Sequence, residues 1–163
     1  MLVERAVTLT HVHQELASLA PVARERRWGL IWRSEELKLL VTMFAHNGDP
    51  YIVQFTCDDY KALPPIIDFI DPVSFEVGTA RATPKGTDSF FHSSGVLCAP
   101  FNRKAYKCFY ESGPHADWPL DASWVASRAN GTDWSNFSTL GDMIGAMDTR
   151  IRDPNLYKGR LGE

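Results

Sequence analysis

Cysteine is scarce in this chain of 163 residues, and the three that occur, Cys57, Cys98 and Cys108, are odd in number. They do not make a disulfide framework, and in a reducing compartment they read as buried thiols, metal ligands or a nucleophile. No apolar run approaches the roughly 20 residues of a membrane helix. The opening MLVERAVTLTHVHQ carries Glu4, His11 and His13 where a secretory leader would be apolar throughout. A cytoplasmic protein without a membrane partner is expected. Neither sign of charge prevails: Lys+Arg 17 against Asp+Glu 20 leaves −3. That balance argues against nucleic acid as the main partner, although Arg24, Arg26 and Arg27 form a local basic patch interrupted by Glu25. There is no Gly-rich phosphate loop, no Gly-x-Ser-x-Gly and no His-Glu-x-x-His. Cys-x-x-Cys is missing too, which argues against a zinc ribbon. No internal repeat or low-complexity tract interrupts the chain.

What is present reads as one domain over residues 1–163, long enough to bury a sizeable core. Residues 10–27 have helical periodicity, with Thr10 as N-cap and Val12, Leu16, Leu19 and Ala20 on one face. Pro21 is expected to kink or restart this helix. Four strand signals follow at 28–32, 37–45, 51–57 and 66–70. Asn47-Gly48 marks a hairpin turn between the second and third, since both residues tolerate positive φ. Short sequential strands predict an antiparallel meander. From Val73 to Ser89 an irregular loop is expected, and RKAYKCFYE reads as a short helix. Residues 134–151 predict a closing helix capped by Ser138, with Leu140, Ile144, Met147 and Ile151 facing inward. The fold class is therefore α+β: an N-terminal helix, a four-stranded antiparallel meander, an irregular segment holding a cysteine, and a C-terminal helix.

That order, with several local strings, resembles the ubiquitin-conjugating enzymes. YIVQFTCDDYKALPPIIDFIDP (51–72) is similar to the family's third strand, acidic-Tyr turn, Pro-Pro element and fourth strand, with Asp59-Tyr60 and Pro64-Pro65 carrying the match. GVLC (95–98) resembles the family's Gly-x-Ile-Cys, whose cysteine forms the thioester with ubiquitin. WSNFSTLGDMIGAM (134–147) looks like its Trp-Ser-Pro segment and following helix. Together these strings span residues 10–151. The departures are also plain. The family's His-Pro-Asn, some ten residues before its cysteine, is replaced by Ser89-Phe90-Phe91-His92, and Trp134 follows Cys98 by 36 residues. The intervening segment is an insertion holding Cys108, His115, Asp117, Trp118 and Trp124.

The resemblance implies a divergent member, similar to bacterial conjugating-enzyme-like proteins of ubiquitin-like operons of the antiphage type. It implies an activating enzyme and a ubiquitin-like protein as partners, an acceptor of unknown identity, no cofactor, and Cys98 as the thioester site. By the same resemblance the first helix, with its arginines, docks the activating enzyme. The operons also hold a group named for a Cys, Glu, His, His set that is predicted to bind metal. Cys57, Glu76, His92 and His115 would be its counterparts here, or a set using Cys98 and Glu111, with zinc as the metal. A third alternative is a non-catalytic adaptor on the same fold.

Thioester relay needs an accessible cysteine, a donor for the oxyanion and a group that steers the incoming nucleophile. Cys98 sits in a turn of small residues between Gly95 and Pro100, and Pro100 removes one amide donor. Asn102 is a candidate oxyanion donor in place of the missing asparagine. His92 and His115 are candidate bases, and Asp117 a group to orient His115. Against these stand blander readings. Free cysteine is among the most buried residue types, so Cys98 is open between nucleophile, ligand and core filler. Cys57 and Cys108 read as packed thiols, and Trp118, Trp124 and Trp134 as core.

Overall fold

The structure, a computed structural model, describes residues 2–163. Helix α1 spans Arg5–Arg26 and strands β1 to β4 span Gly29–Arg33, Lys38–Phe44, Pro50–Thr56 and Ile66–Ile70. They form one antiparallel sheet in the order β1-β2-β3-β4. A short strand β5 (Pro84–Gly86) follows, then a long irregular stretch, helix α2 (Leu140–Arg152) and strand β6 (Tyr157–Arg160). The class is α+β, as the pattern of elements predicts.

Alternation drives the sheet. On β2, Leu39, Val41 and Met43 are fully buried while Lys38, Leu40 and Thr42 are half-buried; on β3, Tyr51, Val53 and Phe55 repeat the pattern. In register, Leu39 lies opposite Phe55 and Val41 opposite Val53. Helix α2 covers this inner face with Leu140, Met143, Ile144, Met147 and Ile151, and α1 packs against α2 through Val12, Leu19 and Ala23. Each large apolar side chain buried this way contributes roughly 1.5–3 kcal/mol.

The structure corrects several details. Helix α1 begins at Arg5, so Thr10 is not its cap; the Thr10 hydroxyl donates back to the Ala6 carbonyl. Pro21 lies inside one continuous helix, on its exposed side, where water can solvate the carbonyl its ring leaves unpaired. At the β2–β3 turn only Gly48 takes positive φ (+89°), while Asn47 accepts the Asp49 amide through its side chain. Thr139, not Ser138, caps α2 by accepting the Asp142 amide. RKAYKCFYE forms a single tight helical turn, Arg103–Ala105. Inside the expected loop, β5 pairs with β6, which returns the C-terminal end of the described chain to the segment before the cysteine. Among the described residues no helix is long and apolar enough to cross a membrane.

Two side chains fasten the helices and the 57–65 turn together. Glu15 of α1 accepts from the Tyr60 hydroxyl (2.7 Å) and from the Leu140 amide at the start of α2 (2.7 Å), and pairs with Lys61 (3.0 Å). Asp148, fully buried on α2, is neutralised by Arg152 (2.8 Å) and Arg26 (3.5 Å). Thus one arginine of the basic patch, though half-exposed, has a structural partner.

Candidate functional site

Residues 90–98 double back as a narrow hairpin. The Cys98 amide donates to the Phe90 carbonyl (2.8 Å), Phe91 bridges Leu97, and the His92 amide donates to the Val96 carbonyl (3.1 Å). The reversal is His92-Ser93-Ser94-Gly95, closed by the Gly95 amide on the His92 carbonyl, with Gly95 at φ +86°. An L side chain at that φ is strained, so glycine sets the turn. His92 therefore sits at the tip, two rungs beyond the Phe90–Cys98 rung, and its Nδ1 is engaged by the Ser94 hydroxyl (2.8 Å) and amide (3.1 Å). The geometry does not bring His92 to Cys98.

Past the cysteine the chain turns again, the Asn102 amide donating to the Ala99 carbonyl. Asn102 is fully buried. Its Oδ1 accepts the Ile67 amide (3.0 Å) and the Lys104 amide (3.2 Å), and its Nδ2 donates to the Leu97 carbonyl (2.8 Å). These bonds tie β4, the hairpin and the next turn into one unit. The expected oxyanion donor is thus a backbone fastener. Arg103, nearly buried, does similar work. Its amide and Nε donate to the carbonyls of Pro65 and Pro64 (both 2.9 Å), and its guanidinium meets Asp58 (3.1 Å). The Pro-Pro element is the acceptor for this clamp. Lys104 is paired with Asp68 at 2.6 Å.

The insertion brings a second histidine back to the sulfur. His115 is held by backbone on both sides: its amide donates to the Ala105 carbonyl (3.1 Å) and its carbonyl accepts the Lys107 amide (3.0 Å). The loop between needs Gly113. A Cβ there would lie 2.8 Å from the Lys104 carbonyl oxygen and 2.9 Å from the backbone of Tyr106 and Tyr110. Tyr106 anchors the insertion from beneath by donating to the Pro100 carbonyl (2.7 Å). Trp118 packs edge-on against Tyr106 and lies flat on the His115 ring, with centroids 3.5 Å apart and planes 2° from parallel. With its ring so placed, His115 presents Nε2 to Cys98 Sγ at 3.0 Å. Its Nδ1 is 3.6 Å from Asp117, whose side chain is 82% exposed, so water screens that pairing heavily.

Cys98 is 7% exposed, and burial pushes its thiol up from 9.0 to about 11. At neutral pH the sulfur is protonated. The arrangement in which S–H donates to Nε2 leaves the Nδ1 proton facing Asp117. A thiolate then forms as its proton passes to the imidazole, which is how a base activates a weak nucleophile. Pro100 offers no N–H, and among the described residues the Ala99 amide, the first past the sulfur, donates to no protein carbonyl. The Ala99 amide is thus uncommitted, whereas the Asn102 side chain is fully engaged by backbone partners.

Of the residues expected at the site, Cys98, His115 and Asp117 come together, while His92 and Asn102 do not join them. Trp118 packs half-buried against Val96, Ala105 and Tyr106, as a core residue would, and it also flanks the site by stacking on His115; the sequence cue was its position three residues after His115. Cys108, expected to be packed, is exposed. The ligand sets considered for zinc are dispersed. Cys57 is fully buried at the end of β3 with its thiol pushed far up by burial, Glu76 is exposed, and His92 stands at the hairpin tip. Glu111 is exposed in the insertion. Among the described residues no three His, Cys, Asp or Glu side chains converge as a metal site would require.

No protein-family model, curated protein or solved structure matches the chain.

Proposed function

We propose that this chain is a conjugating-type transferase. Cys98 accepts the C-terminal acyl group of a ubiquitin-like protein from an activating enzyme as a thioester, and an acceptor nucleophile then takes it. The observation that carries the reading is the 3.0 Å approach of His115 Nε2 to Cys98 Sγ. It is supported by the order of helix, four-strand sheet, cysteine, Trp134 and closing helix, and by the clamp from Arg103 to Pro64 and Pro65. The partners are proteins; the net charge of −3 gives no support to nucleic acid. The test mixes the protein with ATP, an activating enzyme and that enzyme's ubiquitin-like protein. A reductant-sensitive adduct that disappears in Cys98→Ala is expected, and an adduct that survives in Cys98→Ala overturns the reading.

Coverage of the sulfur favours a second reading, a non-catalytic adaptor on the same fold, because a 7% exposed cysteine offers little surface to an acyl donor. Native-state alkylation separates the two. Labelling of Cys98 within minutes at neutral pH supports the transferase; resistance until unfolding supports the adaptor.

A further inference from the structure

We infer that the Cys98 site has a second activity, hydrolysis of small carboxylic esters, with Cys98 as nucleophile, His115 as general base and acid, and Asp117 as the group that orients the imidazole. This activity stands apart from the transferase reading and shares with it only the Cys98–His115 pair. Uptake of an acyl group from another protein's thioester exchanges one thiol for another and leaves no alkoxide to protonate. An ester donor demands more: a base that takes the thiol proton and then, as an acid, delivers it to the departing oxygen. The structure holds the groups for this in sequence. His115 Nε2 is 3.0 Å from Cys98 Sγ, and its Nδ1 is 3.6 Å from Asp117, a loose contact of the kind common before substrate binds. The imidazole is fixed for the task, its backbone bonded to Ala105 and Lys107 and its ring flat on Trp118.

Two features point to the substrate class. The sulfur is 7% exposed, which admits a small acyl donor more readily than a protein. A cleft of about 460 Å³ shares Tyr106, Asp117 and Trp118 with this array and is lined further by Trp124 and Ala126. Its aromatic walls suit an aryl or other flat apolar group, so the donor is a small ester bearing one. The reaction balances with water as the only co-reactant. The sulfur bonds to the acyl carbon as its proton moves to Nε2; the carbon–oxygen bond breaks, and Nε2 protonates the departing alkoxide. Water then bonds to the acyl carbon as its proton moves to Nε2; the carbon–sulfur bond breaks, and Nε2 returns the proton to the thiolate. The products are an alcohol and a carboxylic acid, and Cys98 is restored.

The experiment supplies p-nitrophenyl acetate to the full chain carrying Cys108→Ser, which removes the exposed thiol. Neither ATP nor an activating enzyme is present. Steady release of p-nitrophenol over many turnovers is expected, with an acetyl group on the Cys98 peptide after acid quench. That trapped acetyl tests the nucleophile without any change at the site, even if a site variant misfolds. Cys98→Ala is expected to abolish turnover and His115→Gln to slow it about 100-fold. Asp117→Asn is expected to lower kcat modestly at unchanged KM, because water screens its contact. Ala126→Trp, at an exposed position lining the cleft, is expected to raise KM with kcat little changed. Turnover no higher than that of Cys98→Ala, a burst that stops after a single turnover, turnover without acetylated Cys98, or turnover indifferent to His115→Gln overturns the inference. An unchanged kcat in Asp117→Asn overturns the orienting role, and an unmoved KM in Ala126→Trp overturns the substrate class. Charging by an activating enzyme is measured apart, so its success or failure bears only on the transferase reading.

Discussion

His115 Nε2 stands 3.0 Å from Cys98 Sγ across 17 residues of chain. The pair meets because the insertion loops out at Arg103 and returns beside Ala105 and Lys107. In that setting burial raises the thiol, and the imidazole lies within reach of its proton.

The three cysteines are therefore expected to react with iodoacetamide in a fixed order. Cys108 is exposed and labels first, Cys98 follows more slowly, and Cys57 labels only on unfolding. Because the Cys98 thiol is pushed up to about 11, its labelling rate should climb steadily from pH 7 toward that value. Peptide mass spectrometry over time reads all three sites at once. Cys57 labelling ahead of Cys98 would contradict the burial described.

Gly113→Ala should detach the base from its nucleophile. The three nearest atoms to the new Cβ, at 2.8–2.9 Å, all belong to backbone and cannot swing aside. A loss of about 1–3 kcal/mol is expected from overpacking, together with slower Cys98 charging. Thermal denaturation and the thioester assay measure the two effects separately. Unchanged charging would mean that the loop reaches Cys98 without this close approach.

Asn102→Ala removes the acceptor of two amides and the donor to a buried carbonyl. Each buried polar group left unsatisfied costs about 1–3 kcal/mol, so the effect is expected chiefly on stability. A urea midpoint that drops sharply fits the fastening role. A normal midpoint with a hundredfold slower transfer would restore the oxyanion role instead.

Alkali should unfold this protein early. Burial raises the thiols of Cys57 and Cys98 and the phenols of Tyr51, Tyr60 and Tyr106. The unfolded chain loses these protons at lower pH than the folded one, so the stability they confer is intact below about pH 9 and declines above it. For Cys98 alone, a rise from 9.0 to about 11 amounts to about 3 kcal/mol. Urea titrations at pH 8 and pH 10.5 should show the fall, and Cys98→Ala should make it shallower.

The elements most legible in the sequence are those with a local signal. Strand β4 falls on 66–70 as the apolar run indicates, and β1 to β3 differ from expectation by one residue at their ends, because alternation is written into each segment. The pairing of β5 with β6 escapes such reading. Its partners, Pro84 with Arg160, are distant in sequence, and Pro-Lys-Gly carries no strand propensity. Cys98 and His115 are visible as candidates by residue type alone. What separates His115 from His92 is the return path of the insertion, which Gly113, Tyr106 and Trp118 set through tertiary contacts. Asn102 shows the converse: proximity in sequence to the cysteine suggests chemistry, while three backbone partners make it structural.

The ties made by Asn102 and Arg103 have a consequence for how this region opens. They join the beginning of β4 and the Pro64-Pro65 element to the cysteine turn through side chains instead of a strand ladder. Opening the turn must release the Ile67 amide at the same moment, so the two segments form one cooperative unit. Hydrogen exchange at the Ile67, Arg103 and Lys104 amides should therefore proceed at a common rate, with Asn102→Ala accelerating all three together.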